Sequence, residues 1–292
     1  MELQYALSLP NGGECGHPRI LADLAALAEA SGWDGLFLED YICYTNDTYH
    51  SIPGNPTYDP WVALAAVALS TSRIRLGTSV TPLPRRRPWK LAREAVTLDH
   101  LSNGRLVLGV GSGDARDPGY ARVGESATAR QRAEMLDESL QILAGLWSGQ
   151  PFSYTGKHYS IEDVTFLPVP VQSPRIPIWV GGGWPNPGPT ERAARWDGSC
   201  LYRQTTDGTW QDMTPDDVRS LRAFVESRRT RGTGASPFAI VVGGRQRSSD
   251  PEQDRALIRS LAEVGATWWS EWVPAADLPT MRAAIARGPL RV

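Results

Sequence analysis

The sequence predicts an α/β fold in which eight strands are each followed by a helix, and three observations support this prediction. Short apolar runs alternate with longer helical patterns along the chain. A length of 292 residues suits one barrel of eight such repeats. From Ile74 to Gly113, one unit of strand, helix, turn and strand is complete. We therefore expect a (β/α)8 TIM barrel that forms a single domain over residues 1–292.

Hydrophobic periodicity places each repeat. The predicted strands are Leu3–Leu9, Gly35–Glu39, Ile74–Thr81, Arg105–Val110, Pro177–Val180, Gly198–Tyr202, Phe238–Val242 and Thr267–Trp272. The predicted helices are Arg19–Ala30, Pro60–Ser70, Pro88–Leu101, Ala127–Trp147, Pro189–Arg195, Pro215–Arg229, Asp250–Val264 and Ala275–Arg287. Local residue choices support several boundaries: Gly32 can end the first helix, Pro88 suits a first turn, and Thr214 with Asp217 is typical of a helix cap.

One segment exceeds the simple repeat. The spacing between Gly113 and Ile178 is too long for a single crossover, so we expect an inserted segment after strand 4, at roughly 113–176. Within it, Tyr154–His158 has the pattern of a short hairpin. The prolines after Leu167 predict an extended stretch outside the sheet.

Composition narrows the classes of partner and compartment. A net charge of −2 gives no general attraction to nucleic acid or to anionic membranes, and no apolar run is long enough to span a bilayer. The amino-terminal residues lack a signal-peptide pattern, which predicts a cytoplasmic protein. Neither the three cysteines nor the four histidines have a metal-binding spacing, so we predict no metal site and no disulfide framework.

In a parallel barrel, chemistry belongs at the carboxyl ends of the strands. The third strand ends in small and hydroxylated residues, Thr78, Ser79 and Val80, beside which a flat ring can approach the backbone. The same residues are also simply good strand formers. The following strand ends in Gly111-Ser112-Gly113-Asp114. Its glycines give close access to the backbone, and Asp114 is either an acid or base at the mouth or a solvated loop residue.

The second and fifth strands also end in unusual residues. Glu39 and Asp40 alternate in direction, so at most one of them points into the barrel mouth. After the fifth strand, Gly181-Gly182-Gly183-Trp184 precedes a helix and is compatible with an anion-binding nest. The basic run 85–87 indicates either an anionic partner or a solvated loop.

Four stretches carry a family resemblance: GTSVTPLPRRRPWKLAREAVTLDHLSNGRLVLGVGSG at 77–113, GKHYSIEDVTFLPVPVQSPRIPIWVGGG at 156–183, GWDGLFLED at 32–40 and DPWVALAAVA at 59–68. Together they resemble the luciferase-like monooxygenase family of flavin- and deazaflavin-dependent enzymes. The resemblance covers most of the chain up to about Asp197. It implies a TIM barrel, usually homodimeric, that holds FMN or coenzyme F420 at its carboxyl-terminal mouth.

The resemblance also implies roles for single residues. The peptide bond Ser79–Val80 corresponds to a cis bond pressed against the cofactor ring, and the glycines 181–183 correspond to a phosphate-binding loop. Asp40 corresponds to an acid of the site, and Asp114 to a glutamate that acts as a proton donor in some relatives. This chain departs from the pattern at Tyr41, where many relatives have histidine, and at Asp114, which is one methylene shorter than glutamate.

The leading hypothesis is an F420-dependent oxidoreductase that transfers hydride to or from a small organic substrate, with Asp114 or Tyr41 handling the proton. Only two of the 30 basic residues are lysines, which is typical of the GC-rich genomes of F420-producing bacteria. The basic run 85–87 could meet the acidic tail of the cofactor. Alternatives are an FMN-dependent monooxygenase supplied by a separate reductase, a cofactor-binding barrel without turnover, and a hydrolase that uses Glu39 or Asp40.

Overall fold

The computed structural model describes residues 2–43, 56–114, 117–125, 128–205, 210–229 and 237–292. Eight parallel strands close into a barrel in the order β1-β2-β3-β5-β8-β9-β11-β12, and β12 pairs again with β1. The twelve strands of the described residues are β1 Gln4–Leu9, β2 Gly35–Leu38, β3 Arg75–Thr78, β4 Thr81–Pro82, β5 Leu106–Gly111, β6 Phe152–Thr155, β7 Ser160–Val164, β8 Ile178–Trp184, β9 Gly198–Gln204, β10 Trp210–Gln211, β11 Ala239–Arg245 and β12 Trp268–Trp272. The predicted TIM barrel is confirmed.

Helices follow the barrel strands and cover the outer face of the barrel. Their bounds are α1 Pro18–Ala30, α2 Pro60–Ser70, α3 Pro88–Leu101, α4 Pro118–Ala121, α5 Ala129–Leu146, α6 Pro187–Ala194, α7 Pro215–Arg228, α8 Pro251–Glu263 and α9 Leu278–Ala286. The predicted cap at Thr214 is present as a full capping box with Asp217. Gly32, after α1, has the positive φ of 86° that the sequence predicts there.

Most strand bounds shift by one to three residues from those predicted, and two strands, which border the opening, differ in a way that changes their structure. The predicted strand Ile74–Thr81 is divided into β3 and β4, because four steps from Gly77 to Thr81 span only three steps of β5, from Val107 to Val110. One extra residue therefore bulges out of the sheet. The strand predicted to end at Val180 continues through three glycines to Trp184, because it stays paired with β9 over that whole length.

The segment 113–176 contains both a regular crossover and additional structure. Helix α5 packs against α3 and against the turn Leu83–Arg85, as the helix of the fourth repeat should. Its predicted first residue, Ala127, lies outside the described residues. The additions are α4 and the antiparallel hairpin β6–β7, which extends the predicted hairpin on both sides. No described strand lies between Val164 and Ile178, in agreement with the predicted extended stretch.

Two clusters of buried side chains fill the fold. The larger cluster lies between the outer face of the barrel and the helices. The smaller one fills the barrel itself and consists of Ala6, Phe37, Val107, Trp179, Ala239 and Trp268. Within the described residues, no helix is both long and apolar enough to cross a membrane.

Candidate active site

The interior of the barrel changes character along the strands. Phe37, Trp179 and Trp268 form an aromatic floor, with ring centroids 5.3 to 6.3 Å apart. Two positions further along each strand, on the same inner face, the residues are Ser8, Glu39, Gly109, Gly181, Val241 and Ser270. The barrel is thus closed by large rings below and lined mainly by small residues above, which leaves room for a ligand at the carboxyl ends of the strands.

The bulge between β3 and β4 projects into this opening. The peptide bond Ser79–Val80 is cis, as the family resemblance implies. Ser79 is exposed, whereas its neighbour Thr78 is buried. The Val80 side chain lies against glycines of β5 and β8, since a Cβ built at Gly111 would be 2.9 Å from Cγ2 and one built at Gly181 would be 3.1 Å from Cγ1. These glycines therefore make space for the Val80 side chain.

Thr78 has a different role from that of Ser79. Its hydroxyl donates to the Gly109 carbonyl at 3.1 Å and accepts from the Thr81 hydroxyl at 2.9 Å. The Thr81 hydroxyl also lies 2.9 Å from Asp40 Oδ2 and accepts from the Trp61 indole at 3.0 Å. Thr78 thus supports the bulge from the outer side of the sheet, and Ser79 is the predicted residue whose side chain is accessible.

Asp40 turns away from the barrel interior. Its side chain is only 2 % exposed and pairs with Arg85 at 3.2 Å and with Arg86 at 2.9 Å. The two arginines are in turn bound to Asp117 and, at 3.5 Å, to Asp59. Arg85 and Arg86 are therefore neutralised within the protein, and the geometry does not support their predicted contact with an acidic cofactor tail.

Glu39 is the carboxylate of β2 that lies on the inner face. It follows Phe37 by two residues and is 7 % exposed. The sequence limits the choice to one of Glu39 and Asp40, but it does not decide between them. The inward direction of Phe37 was the missing signal, and Phe37 itself is identified as inward only by its contacts with Trp179 and Trp268.

Tyr41 lies near three carboxylates. Burial raises the pKa of its phenol, and the charges of Glu39, Asp117 and Asp114 raise it further. The phenol is therefore neutral at physiological pH and can donate a hydrogen bond, but its raised pKa makes it a weak proton donor, and it cannot act as a base. Asn11 fixes the backbone of Tyr41 by donating to its carbonyl oxygen at 2.9 Å.

Two side-chain hydrogen bonds fix the turn that precedes Asp114. Tyr120 Oη and Arg132 Nε donate to the Ser112 carbonyl at 3.2 and 3.1 Å. Gly113 has a φ of 74°, and a Cβ at this position would overlap the Tyr120 ring, so glycine is required here. Asp114 follows this rigid turn and is partly exposed at the opening.

The three glycines predicted to follow the fifth strand lie within β8, and their role in binding an anion stays a prediction. Gly181, Gly182 and Gly183 pair with consecutive residues of β9. Trp184 turns outward, where its indole donates to Asp217 at 3.0 Å. Gly183 lies beneath an amide pair, Asn186 Nδ2 and Gln204 Oε1, which are 2.8 Å apart.

The predicted site residues therefore fall into two groups. One group lies on or beside the inner face at the strand ends and comprises Val80, Gly111, Gly181 and Gly183, together with Glu39. Ser79, Ser112, Gly113, Asp114 and Tyr41 lie in the segments that follow these strands, and their contact with a ligand stays a prediction. The other group supports the opening from outside and comprises Thr78, Asp40, Gly182 and Trp184. The glycine-lined cradle beside Val80, which any Cβ would narrow, fits a flat ring such as that of FMN or coenzyme F420.

Comparison with known proteins is consistent with this geometry. The family model described as luciferase-like monooxygenase matches residues 2–263 of the chain. Two similar proteins are named F420-dependent glucose-6-phosphate dehydrogenase. The one from Microbacterium testaceum is 36 % identical over 58 % of this chain and 48 % of its own length. The one from Kineococcus radiotolerans is 35 % identical over 74 % of this chain and 61 % of its own length. The chain thus spans about half to three fifths of these relatives.

A solved structure has the same fold over nearly the whole chain. The coenzyme F420-dependent tetrahydromethanopterin reductase from Methanopyrus kandleri superposes with a TM-score of 0.74 and 17 % sequence identity. The superposition covers 98 % of this chain and 97 % of the reductase. At this level of identity, the likeness supports the barrel architecture and not the reaction.

Proposed function

Because the chain belongs to the luciferase-like monooxygenase family, we propose that it is an oxidoreductase that uses coenzyme F420 to move a hydride to or from a small organic substrate. The observation that carries this proposal is the cradle of Val80, Gly111 and Gly181 above the aromatic floor. The names of the two curated relatives favour F420 as the cofactor. When bound, this cofactor would supply a ring carbon that accepts or donates hydride.

The residues around the cradle would orient the ring and handle the proton. Ser79 and the strand-end glycines would contact the ring and its polar edge. Asp114 is partly exposed in the segment that follows β5, and it would take a proton from a substrate hydroxyl or return one. Tyr41 would donate a hydrogen bond, because its raised pKa keeps the phenol protonated. Asp40 would act from outside, by fixing the backbone next to Tyr41.

A second candidate is an FMN-dependent monooxygenase supplied with reduced flavin by a separate reductase. The description of the matching family favours it, and a flat isoalloxazine ring would fit the same cradle. The two functions differ in co-reactant, since reduced FMN reacts with oxygen whereas the deazaflavin does not. A third candidate is a cofactor-binding barrel without turnover.

A titration with both cofactors tests these alternatives. Purified protein is titrated with F420 and with FMN, following the fluorescence of each. We expect tighter binding of F420, and a panel of small alcohols and sugar phosphates should then show anaerobic F420 reduction. Tighter binding of FMN with oxygen-dependent product would reject the F420 proposal. Binding without any hydride transfer would favour the non-catalytic barrel.

Helix α2 supports a homodimer. Val62 and Leu69 lie seven residues apart on one helix face, and they are 67 % and 73 % exposed. We propose that this exposed apolar pair lies in the interface of the homodimer that the family resemblance implies. Sedimentation should show a dimer for the wild type and a monomer for Val62→Glu.

A cytoplasmic location is proposed as well. The free thiols of Cys15, Cys43 and Cys200 are compatible with a reducing compartment.

A further inference from the structure

Arg85 joins two segments that border the opening. Its guanidinium donates to the carbonyl oxygen of Asp40, lies 3.2 Å from Asp40 Oδ1, and donates through its other nitrogen to Asp117 Oδ2. The side chains of Arg85, Asp40 and Asp117 are only 2 to 4 % exposed. Arg85 itself lies in the turn after β4, so this one side chain links the segments that follow β2, β4 and β5.

Both partners of Arg85 are directly connected to proposed site residues. Asp40 precedes Tyr41 in the chain. Asp117 N–H donates to the Asp114 carbonyl at 3.0 Å, and Asp117 Oδ1 accepts from the Gly119 amide at 2.7 Å. A movement of Arg85 would therefore be transmitted to Tyr41 on one side and to Asp114 on the other.

The surroundings of the guanidinium are shaped to receive it. A Cβ at Gly119 would lie only 2.7 Å from Arg85 Nη1, so the absence of a side chain at this position permits the contact. The Tyr120 ring lies on another side, with its centroid 5.8 Å from Arg85 Cζ. A planar fork with two nitrogens reaches both carboxylates at once, which a lysine ammonium cannot do.

We propose that Arg85 is a positioning residue that holds Tyr41 and Asp114 in the arrangement that the cofactor requires. The proposal rests on the proposed function for the identity of the cofactor. The coupling of the two segments through Arg85 does not depend on it.

Arg86 provides a matched control within the same network. It binds the same carboxylate, with Nη2 2.9 Å from Asp40 Oδ2. Its second partner, at 3.5 Å, is Asp59, the cap of α2. Loss of Arg86 should therefore loosen the start of α2 and leave the segment 117–120 unchanged.

Hydrogen exchange of the cofactor-free protein tests the coupling. In Arg85→Gln we expect exchange at the amides of Gly119 and Tyr120 to be about tenfold faster, because the Asp117 carboxylate and its turn lose their anchor. Arg86→Gln should exchange within twofold of the wild type at these amides. Because Arg85→Gln leaves Asp117 as a buried unpaired carboxylate, the double variant Arg85→Gln/Asp117→Asn is measured as well.

Titration with F420 tests the positioning role. We expect the dissociation constant of Arg85→Gln to rise about tenfold. Gly119→Ala should have a smaller effect in the same direction, since it displaces the guanidinium without changing any charge. Arg247→Gln removes an arginine that is also buried, paired with Glu271 on the outer face of the barrel, and it should leave F420 binding unchanged.

Chemical rescue separates positioning from a loss of folding. Methylguanidinium at millimolar concentration should restore F420 affinity in Arg85→Ala, and an equal concentration of methylurea should not. Unchanged exchange at 117–120 in both Arg85→Gln and the double variant overturns the proposal, and so does faster exchange with unchanged F420 affinity. A wild type that binds no F420 overturns the proposed function alone, because the exchange arm still decides whether Arg85 couples the two segments.

Discussion

The floor and the opening of the barrel are built from the same strands but differ in the side chains that these strands place inside the barrel. At the floor, Phe37, Trp179 and Trp268 fill the interior with aromatic rings, so the barrel is a packed core at this level. Two residues further along, at or just beyond the ends of the same strands β2, β8 and β12, the inward-facing residues are Glu39, Gly181 and Ser270. The strands thus stabilise the fold at the floor and carry the proposed site at the opening. A substitution at the floor should accordingly change the free energy of unfolding, and one at the opening should change catalysis or cofactor binding.

The largest effect is expected from removing the acid at the opening. Asp114→Ala should lower kcat about 10²- to 10⁴-fold, because it removes the proposed proton acceptor and Tyr41, which stays protonated, cannot replace it. Its unfolding midpoint should remain within about a degree or two of the wild type. Steady-state kinetics and thermal unfolding measure these two properties.

Asp23→Ala is a matched control for this prediction, since Asp23 is an exposed carboxylate on α1. It should change neither kinetics nor binding. Equal turnover of Asp114→Ala and the wild type would remove Asp114 from the proton transfer and leave Glu39 as the next candidate.

The fold could be predicted from the sequence because each repeat carries its own periodicity, caps and turn residues. The division of β3 could not, since Thr78, Ser79, Val80 and Thr81 all suit a strand and the extra residue is visible only from the pairing with β5. Local propensity therefore agrees with both arrangements, and only long-range pairing selects one.

The site was predictable in position but not in the direction of its side chains. The strand ends mark where the opening lies, but whether Glu39 or Asp40 faces inward depends on contacts between distant strands. Likewise, the sequence predicts either an anionic partner or a solvated loop for the basic run 85–87, because Asp40 and Asp117, which pair with Arg85, are 45 and 32 residues away in the chain.

At the floor, Trp268→Ala should destabilise the fold without altering the site. Removing a buried indole creates a large cavity and should lower the free energy of unfolding by about 3–5 kcal/mol. Urea unfolding gives this value, and the F420 affinity of the folded protein should stay within about twofold. Trp89→Ala is the control. Trp89 is 40 % exposed on α3, so this substitution should lower the free energy of unfolding by less than about 1 kcal/mol. An F420 affinity that falls with Trp268→Ala would mean that the floor also shapes the cofactor site.

Two glycine-to-alanine substitutions, each of which adds one methyl group, test the same comparison of stability and site. A Cβ at Gly77 would overlap the Val107 carbonyl oxygen, so Gly77→Ala should lower the free energy of unfolding by about 1–3 kcal/mol. At Gly181 the nearest atom is Val80 Cγ1 at 3.1 Å, so Gly181→Ala should fold well but narrow the cradle.

We expect the F420 dissociation constant of Gly181→Ala to rise about tenfold, with a change in unfolding free energy below 1 kcal/mol, roughly. Gly188→Ala is the control, since nothing lies within 4 Å of a Cβ there. Should Gly181→Ala bind F420 as tightly as the wild type does, the ring must lie elsewhere in the opening.

The smallest effect concerns the outer end of α1, far from the opening. Burial tends to raise the pKa of Glu29, but hydrogen bonds from the amides of Ile74, Arg73 and Ser72 outweigh it and lower this pKa from 4.5 to about 2. A pKa that is lower in the folded state stabilises the protein fully above the unfolded value, near 4.5, and this stabilisation is lost as the pH falls towards 2. Glu29→Gln should therefore lower the free energy of unfolding by about 1–2 kcal/mol at pH 7 and by less at pH 3.

Urea unfolding of both proteins at the two pH values measures this difference, with Glu263→Gln, at the exposed end of α8, as the control that should show none. If Glu29→Gln lowers the free energy of unfolding equally at pH 7 and pH 3, the amide replaces the carboxylate as an acceptor, and the lost stability has a steric cause. A deficit that shrinks with acid assigns it to the charge on Glu29, which anchors the start of β3 as Arg85 anchors the turn beyond β4.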